Sequence, residues 1–218
     1  MSTTGEQARD GESDAGWCLV VPVKLLHLAK SRLSTDASHR SALALAFAAD
    51  TVAAALRTPS VVELVVVTDD PTAAALVTEL GAAVVPDAPD AGLNPALRHG
   101  AEYASSRHPG CAIGALSADL PALKSTELAT ALQRAEKVGR GVVADAVGTG
   151  TTAYLVAAGE FTPLFGADSL QAHIAAGAAA IRADDLPSVR RDVDTPADLT
   201  EALALGVGEY TRRTLDRL

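Results

Sequence analysis

Apolar residues occur along this chain in short unbroken runs, and stretches with helical spacing lie between the first of these runs. Runs without polar alternation are typical of strands that are buried on both faces of a parallel sheet. Strands are therefore predicted at residues 17–23, 61–68, 82–85, 111–116, 141–145 and 153–157.

Helices are predicted between these strands. Asp36 or Thr35 is placed to cap a helix over residues 37–57, and Pro71 begins a helix that Gly81 ends. The alternation of strands and helices predicts a single α/β domain with a mostly parallel central sheet flanked by helices.

Composition and charge limit the partners of this domain. Residues 1–16 are polar and aperiodic, so we expect a disordered tail there and one folded domain over residues 17–218. The formal net charge of -9 disfavours nucleic acid as a bulk ligand. No apolar run reaches the roughly 18 residues of a membrane span, and the amino terminus lacks a signal-peptide pattern. We therefore expect a cytoplasmic protein that binds neither nucleic acid nor membrane.

Two acidic segments are candidates for a metal site. The central apolar run leads to Asp119, and Pro121 ends any strand there, at the end of the sheet where α/β proteins bind ligands. Asp192 and Asp194 point to the same side if their segment is extended, although Asp194 also suits a helix cap. Because Mg²⁺ takes oxygen ligands, we expect Asp119, Asp192 and Asp194 to hold Mg²⁺ on a nucleotide phosphate.

Three cations follow the first predicted strand, namely Lys24, Lys30 and Arg32. The loop between the first strand and the first helix is a common phosphate-binding position, although a solvated basic loop has the same composition. The segment contains neither G-x-G-x-x-G nor a Walker loop, so the two interpretations stay open.

A possible anion site precedes a helix late in the chain, at Gly166, Asp168 and Ser169. These residue types are ordinary helix caps, but a helix start also offers free N–H groups and a positive dipole end to an anion. His173 lies one turn beyond Ser169 on the same face, either as a structural residue or as a ligand contact.

The sequence contains no G-x-S-x-G, no H-E-x-x-H and no evident pair of nucleophile and base. A reaction whose nucleophile is itself a phosphate needs neither, because a phosphomonoester is already ionised at neutral pH. Positioning, a metal and charge neutralisation then suffice for in-line attack on another phosphorus.

Six motifs, taken in order and spacing, carry a family resemblance. They are Lys24 with Lys30-Ser31-Arg32, Leu93-Asn94, Ala118-Asp119-Leu120-Pro121, Gly148-Thr149-Gly150-Thr151, Phe165-Gly166-Ala167-Asp168-Ser169 and the segment from Asp192 to Leu199. Over roughly residues 17 to 208 the chain resembles the guanylyltransferases of coenzyme F(420) biosynthesis. Bacterial members are called phosphoenolpyruvate guanylyltransferases and archaeal members 2-phospho-L-lactate guanylyltransferases.

This resemblance implies a nucleotidyltransferase fold of the glycosyltransferase-A type. It implies transfer of GMP from GTP to phosphoenolpyruvate, giving enolpyruvyl-diphospho-guanosine and pyrophosphate. The partners are then GTP and a small phosphorylated carboxylic acid, with possible transient contact with the downstream transferase. Family members often have glycine where this chain has Ala118, which adds a methyl group close to the site.

Carried over by position, the resemblance assigns the acceptor to Thr151, Gly166 and Ser169, and Mg²⁺ to Asp119 and Asp192 with Asp194. We assign the nucleotide to four residues, which are Lys24, Lys30, Arg32 and Asn94. The predicted catalytic residues are Asp119, Asp192 and Lys24.

Other functions stay open. The acceptor is alternatively 2-phospho-L-lactate or 3-phosphoglycerate, which differ from phosphoenolpyruvate by few atoms. A nucleotidyltransferase for a sugar phosphate or a molybdopterin-type cofactor usually has a glycine-rich first loop, whereas this chain has Pro22-Val23-Lys24. A silent nucleotide-binding regulator would be expected to lose one of the three metal aspartates, and all three are present here.

Overall fold

The computed structural model describes residues 16–24, 33, 36–88 and 90–218. The predicted tail, apart from Gly16, lies outside the described residues, and so do Lys30 and Arg32. Within these ranges, no helix is both long and apolar enough to cross a membrane.

A seven-stranded sheet with the order β3-β2-β1-β4-β6-β5-β7 forms the centre of the domain. Strands β1 to β4 are mutually parallel, β6 runs antiparallel to its neighbours β4 and β5, and β7 is parallel to β5. The predicted α/β architecture with a mostly parallel sheet is therefore confirmed. The strands are β1 (Trp17–Pro22), β2 (Val61–Val67), β3 (Ala83–Val85), β4 (Ala112–Leu116), β5 (Arg140–Ala144), β6 (Thr151–Val156) and β7 (Ala179–Ala180).

Eight helices lie within the described residues. They are α1 (Ala37–Leu56), α2 (Pro71–Leu80), α3 (Leu93–Arg107), α4 (Ser125–Val138), α5 (Ser169–Ala175), α6 (Pro187–Arg190), α7 (Pro196–Leu205) and α8 (Glu209–Leu215). Strand β7 and helix α6 were not predicted, because two and four residues are too short to show a hydrophobic period.

The predicted helix ends are formed by specific hydrogen bonds. The Asp36 carboxylate accepts from the N–H groups of Ser38 and His39 at 2.8 and 3.2 Å, which makes Asp36 the N-cap of α1. Gly81 ends α2 with a φ of 103°, a left-handed conformation that glycine adopts without a steric cost.

The core lies on both faces of the sheet because the central strands β1 and β4 are apolar at every position. In β1, Trp17, Leu19 and Val21 pack in the cluster that includes α1 and α4, while Cys18 and Val20 pack in the cluster that includes α3. This two-sided burial is the structural reason for the unbroken apolar run in the sequence.

A third apolar cluster lies beside the carboxyl ends of the central strands. Phe47 of α1, Ala122 after β4 and Val193 before α7 are all buried in it. The cluster therefore joins the segment that contains Asp119 to the segment that contains Asp192 and Asp194.

Candidate active site

One edge of the sheet collects the polar groups that sequence analysis singled out. Parallel strands β1 to β4 end at this edge, and the residues that follow them include Lys24, Asp69, Asp87 and Asp119. Because β6 is antiparallel, its first residue, Thr151, lies at the same edge. The direction of β6 thus brings a predicted acceptor residue beside the predicted metal residues.

The register of β4 and β6 fixes this proximity. Leu116 is paired with Ala153, and beyond the end of β4 the Ser117 N–H donates to the Thr152 carbonyl at 2.8 Å. The same register continued by one residue places Ala118 opposite Thr151, immediately before Asp119.

The backbone around Asp119 is held by α1. The hydroxyl of the buried Thr51 accepts from the Leu120 N–H at 3.0 Å and lies 3.2 Å from the Ala118 carbonyl oxygen. The non-glycine residues with positive φ in the described chain are Asp90 and Asp168, so Ala118 needs no glycine conformation. Alanine at this position is therefore compatible with the turn that presents Asp119.

Asp192 reaches the same place from the other end of the chain. The Val193 N–H donates to the Asp119 carbonyl at 3.0 Å, and Val193 is fully buried between two partly exposed aspartates. The expected alternation of Asp192 and Asp194 is present, although their segment is not a strand. It follows the short helix α6 instead.

Asp192 lies among other acidic side chains, and this changes its pKa. Burial and the like charge of Asp119, followed by those of Asp145 and Asp194, raise the pKa of Asp192 to about 7. Carboxylates gathered in this way repel one another unless a cation lies among them.

The carboxylates of Asp119, Asp192 and Asp194 are the candidate ligands for Mg²⁺. Within the described ranges, no group of three or more histidine, cysteine or acidic side chains is arranged to hold a metal ion. However, Mg²⁺ is commonly bound through one or two carboxylates together with substrate phosphate oxygens, and the mutually repelling Asp119 and Asp192 match that requirement. The residues fit the ion in this sense, and the ligand set of Asp119, Asp192 and Asp194 stays a prediction.

Asp145 was missed by sequence analysis. Its carboxylate accepts from the N–H groups of Gly148, Thr149 and Gly150 at 2.5, 3.0 and 2.9 Å, which folds the connection between β5 and β6 around it. A Cβ on Gly150 would lie 2.5 Å from Asp145 Oδ2, so this glycine is required by close packing. An aspartate three residues before a glycine-rich stretch is a turn signal that could have identified it.

The predicted acceptor residues lie on two adjoining turns. Thr151 directly follows the turn folded around Asp145, and the Leu170 N–H in the first turn of α5 donates to the Thr149 carbonyl at 3.2 Å. Ser169 is 2% exposed, and Gly166 has a φ of 147° with open space where a Cβ would be. The structure therefore brings Thr151 close to the start of α5, where Gly166 and Ser169 lie.

His173 is a structural residue of these turns. Its Nε2 accepts from the Leu164 N–H at 2.9 Å, so Nδ1 carries the proton and donates to the Ser169 carbonyl at 2.8 Å. The Thr151 hydroxyl lies 3.2 Å from Nδ1, and burial lowers the pKa of His173 below its usual range. The imidazole is thus held neutral, and it fixes both predicted acceptor segments.

Asn94 connects α3 to the same loop. Its Nδ2 donates to the Phe165 carbonyl at 3.0 Å, and its Oδ1 accepts from the Phe165 N–H at 2.8 Å. This amide positions the backbone next to Gly166, a role that sequence analysis did not foresee. Its predicted contact with a nucleotide stays a prediction.

A cavity of about 210 Å³ lies next to Asn94, where β1, β2 and β3 end and α3 begins. We call it the β1–β3 cavity. Lys24, an exposed cation, lines it on one side. The described lining is Pro22, Val23, Lys24, Val67, Asp69, Asp87, Asp90, Gly92, Leu93 and Ala96.

Comparisons with known sequences place the chain in a family. A family model described as "Guanylyl transferase CofC like" matches residues 17–218. A phosphoenolpyruvate guanylyltransferase from Thermomonospora curvata is 53% identical over 209 residues, which is 95% of this chain and 92% of the relative. One from Streptomyces coelicolor is 53% identical over 205 residues, or 93% of this chain and 97% of the relative.

Solved structures share the fold at low sequence identity. A nucleotidyl transferase from Methanothermobacter is 18% identical with a TM-score of 0.60, and the match covers 93% of this chain and 99% of that one. A 4-diphosphocytidyl-2C-methyl-D-erythritol synthase is 14% identical with a TM-score of 0.58, covering 88% and 99%. These likenesses show the nucleotidyltransferase fold.

Proposed function

Since the chain belongs to the family of CofC-like guanylyl transferases, we propose that it transfers GMP from GTP to phosphoenolpyruvate. The products are enolpyruvyl-diphospho-guanosine and pyrophosphate, in coenzyme F(420) biosynthesis. Relatives with this printed activity are about half identical to the chain and cover more than nine tenths of it. They supply the identity of the acceptor.

The observation that carries the proposal is the convergence of two neighbouring sites on one sheet edge. The β1–β3 cavity begins at Lys24 and ends at α3, and Asn94 of α3 is hydrogen-bonded to Phe165, beside Gly166. A nucleotide in the cavity and an acceptor against Gly166 would therefore lie next to each other, with Asp119 on the same edge. Such proximity is what an in-line transfer between two phosphates requires.

The reaction needs no protein nucleophile. An oxygen of the acceptor phosphate forms a bond to the α-phosphorus of GTP, and the bond from that phosphorus to the β-phosphate oxygen breaks. The electron pair leaves with pyrophosphate. Because the acceptor phosphate is largely ionised at neutral pH, no side chain has to remove a proton from it.

Thr151, Gly166 and Ser169 would bind the acceptor. Thr151 and Ser169 supply hydroxyls at adjoining turns, and the exposed left-handed Gly166 leaves room for the carboxylate and phosphate. His173 holds Thr151 and Ser169 in place, while its neutral state avoids a titrating charge in the site.

Asp119 and Asp192 would hold Mg²⁺, with Asp194 as a third ligand. When bound, the ion supplies charge neutralisation at the reacting phosphates. The carboxylates themselves fix where an ion can bind, since the Val193–Asp119 hydrogen bond ties their two segments together. Lys24, together with Lys30 and Arg32 further along the sequence, would neutralise the triphosphate.

We also propose transient contact with the transferase that consumes the product. This contact would shorten the time that the product spends in water.

A substrate matrix tests the proposed function. Pyrophosphate release is measured with GTP or ATP against phosphoenolpyruvate, 2-phospho-L-lactate and 3-phosphoglycerate, with Mg²⁺ and the consuming transferase present. We expect the highest kcat/KM for GTP with phosphoenolpyruvate, and loss of that activity in Asp119→Asn. Higher kcat/KM for another acceptor, or release that does not depend on an acceptor, would contradict the proposal.

A further inference from the structure

We propose that the Asp87 carboxylate recognises the guanine base in the β1–β3 cavity and so selects GTP among nucleotides. In this assignment its two oxygens accept hydrogen bonds from the guanine N1–H and the 2-amino group. The inference rests on the proposed function, because it supplies the residue that gives the guanylyl transfer its base specificity.

The cavity has the lining expected for a purine. Val67 at the end of β2 and Leu93 and Ala96 in the first turns of α3 supply apolar surface. Acidic groups occupy another part of the wall, and Lys24 is the cation of the described lining. A flat apolar wall with a few placed polar groups is typical of small-molecule pockets.

Asp87 has an unsatisfied oxygen in this wall. Its Oδ1 is buried and has no hydrogen-bond partner among the described residues. A buried carboxylate oxygen without a donor is costly, so the carboxylate of this cavity-lining residue suits a ligand that brings the donor.

Neighbouring contacts fix the position of Asp87. Its own N–H donates to Asp69 Oδ1 at 3.0 Å, and its carbonyl accepts from the Asp90 N–H at 3.0 Å. Asp69, which follows β2, thereby holds the backbone of Asp87, which follows the adjacent strand β3. The carboxylate of Asp87 is presented by a backbone fixed on both sides.

The chemistry of the bases decides which nucleotide suits this group. An ionised carboxylate only accepts hydrogen bonds, and the guanine edge offers two donors side by side, N1–H and the 2-amino group. Adenine presents an acceptor at N1, which a carboxylate oxygen repels. Xanthine keeps N1–H but carries a carbonyl oxygen in place of the 2-amino group. A site of this kind discriminates mainly by leaving the wrong partner unpaired.

An exchange of base preference tests the assignment. Calorimetric titrations with GTP and XTP are made on the wild-type protein and on Asp87→Asn, in which one acceptor oxygen becomes an amide donor. The wild type should bind GTP at least tenfold more tightly than XTP, because one hydrogen bond to a charged group is worth about ten- to a hundredfold in affinity. Asp87→Asn should reverse the preference, since its amide can donate to the xanthine 2-carbonyl and accept from N1–H.

The matched control is Asp90→Asn, which removes the same charge from the same cavity wall. Asparagine tolerates the positive φ of 40° at this position. This variant should change the affinities for GTP and XTP by the same factor. A GTP-to-XTP ratio that is unchanged in Asp87→Asn, or one that shifts equally in Asp90→Asn, would overturn the inference.

Nucleotide binding and GMP transfer are measured separately. A failure of the proposed function can then be distinguished from a failure of the Asp87 assignment. Selective GTP binding that depends on Asp87, together with no transfer to any acceptor, would overturn the proposed function and support the inference. GTP-dependent transfer with an unchanged base preference in Asp87→Asn would overturn the inference alone.

Discussion

At the scale of single residues, the proposed metal ligand Asp192 carries a cost in stability. It is largely buried beside Asp119, Asp145 and Asp194, and its pKa is raised to about 7. The folded protein therefore holds a proton there until near-neutral pH, while the unfolded chain releases it near pH 4. Stability falls as pH rises between these two values, and the loss is complete above pH 7.

Replacing Asp192 by asparagine should consequently stabilise the protein in the absence of metal. The gain should be small at pH 4 and grow to a few kcal/mol at pH 8, because each unit of raised pKa corresponds to about 1.4 kcal/mol. Urea unfolding at the two pH values measures it, with the exposed Glu102→Gln as a control for loss of one charge.

The same variant should lose Mg²⁺-dependent pyrophosphate release by about a hundredfold or more, since a metal ion contributes several kcal/mol to the transition state. Asp119→Asn should lose activity to a similar degree. Near-normal turnover in both variants would contradict the metal assignment, whatever their stability.

The acceptor residues can be tested one at a time. Ser169→Ala should lower kcat/KM for phosphoenolpyruvate by about ten- to a hundredfold, because it removes a hydrogen bond to a charged group. Gly166→Leu should block the acceptor and leave GTP binding intact. Gly177→Leu provides the matched control, since Gly177 also has a positive φ and open space at its Cβ position. Equal effects of the two leucine variants on acceptor affinity would assign the loss to backbone strain.

At the scale of elements, the predicted site depends on two turns that are fixed by buried side chains. Asn94 ties α3 to Phe165, and His173 ties α5 to Leu164 and Thr151. Each side chain satisfies backbone groups that would otherwise be unpaired. These contacts give the predicted acceptor residues a fixed position before any ligand binds.

Removing the Asn94 amide should separate its structural role from its predicted contact with a nucleotide. If Asn94 acts by positioning Phe165 and Gly166, Asn94→Ala will raise KM for the acceptor several-fold more than KM for GTP. Asn94→Asp keeps an oxygen that can accept the hydrogen bond from the Phe165 N–H, so this variant should lose less activity. A predominant effect on GTP would instead assign Asn94 to the nucleotide site.

His173→Phe should keep the aromatic contacts with Tyr154 and Phe165 but lose the hydrogen bonds to Leu164 and Ser169. We expect destabilisation of about 1–3 kcal/mol at pH 7.5, the cost of unsatisfied buried groups. Because burial lowers the pKa of His173, its protonation favours unfolding once the pH falls below about 6.5.

The destabilisation by His173→Phe should therefore shrink between pH 7.5 and pH 5. Comparing the variant with the wild type at each pH cancels the opposite contribution of Asp192. A destabilisation that stays constant over this range would contradict the neutral, buried histidine.

The sequence was sufficient for the parallel half of the sheet but not for its antiparallel part. Continuous apolar runs and helical spacing alternate as far as residue 140, and strands β1 to β4 with helices α1 and α2 were predicted within a residue or two. The direction of β6 depends on the turn folded around Asp145, a set of backbone-to-carboxylate contacts that no hydrophobic period records.

The same limit applies to the site. Strand ends and motifs singled out Asp119, Asp192, Thr151 and Ser169 as candidates, whereas the turn around Asp145 and the contact of Asn94 with Phe165 depend on tertiary packing. Asp87 carries no motif at all. Its candidate role follows from one buried oxygen in a cavity.

At the scale of the whole molecule, the carboxyl edge of the sheet is the common position of all these groups. Strands β1 to β4 bring Lys24, Asp69, Asp87 and Asp119 to it, and the antiparallel β6 adds Thr151. A site assembled from so many strand ends can place two phosphorylated substrates side by side. In the proposed reaction, the acceptor's own phosphate attacks GTP at this edge.

An isotope experiment tests that claim directly. Phosphoenolpyruvate labelled with ¹⁸O in its phosphate is reacted with unlabelled GTP and Mg²⁺, the reaction is quenched within one turnover, and the products are analysed by mass spectrometry. We predict that all of the label remains in the guanylylated product, with one ¹⁸O bridging the two phosphorus atoms, and that pyrophosphate contains none. Labelled pyrophosphate, or a product with ¹⁶O in the bridge, would contradict attack by the acceptor phosphate on the α-phosphorus of GTP.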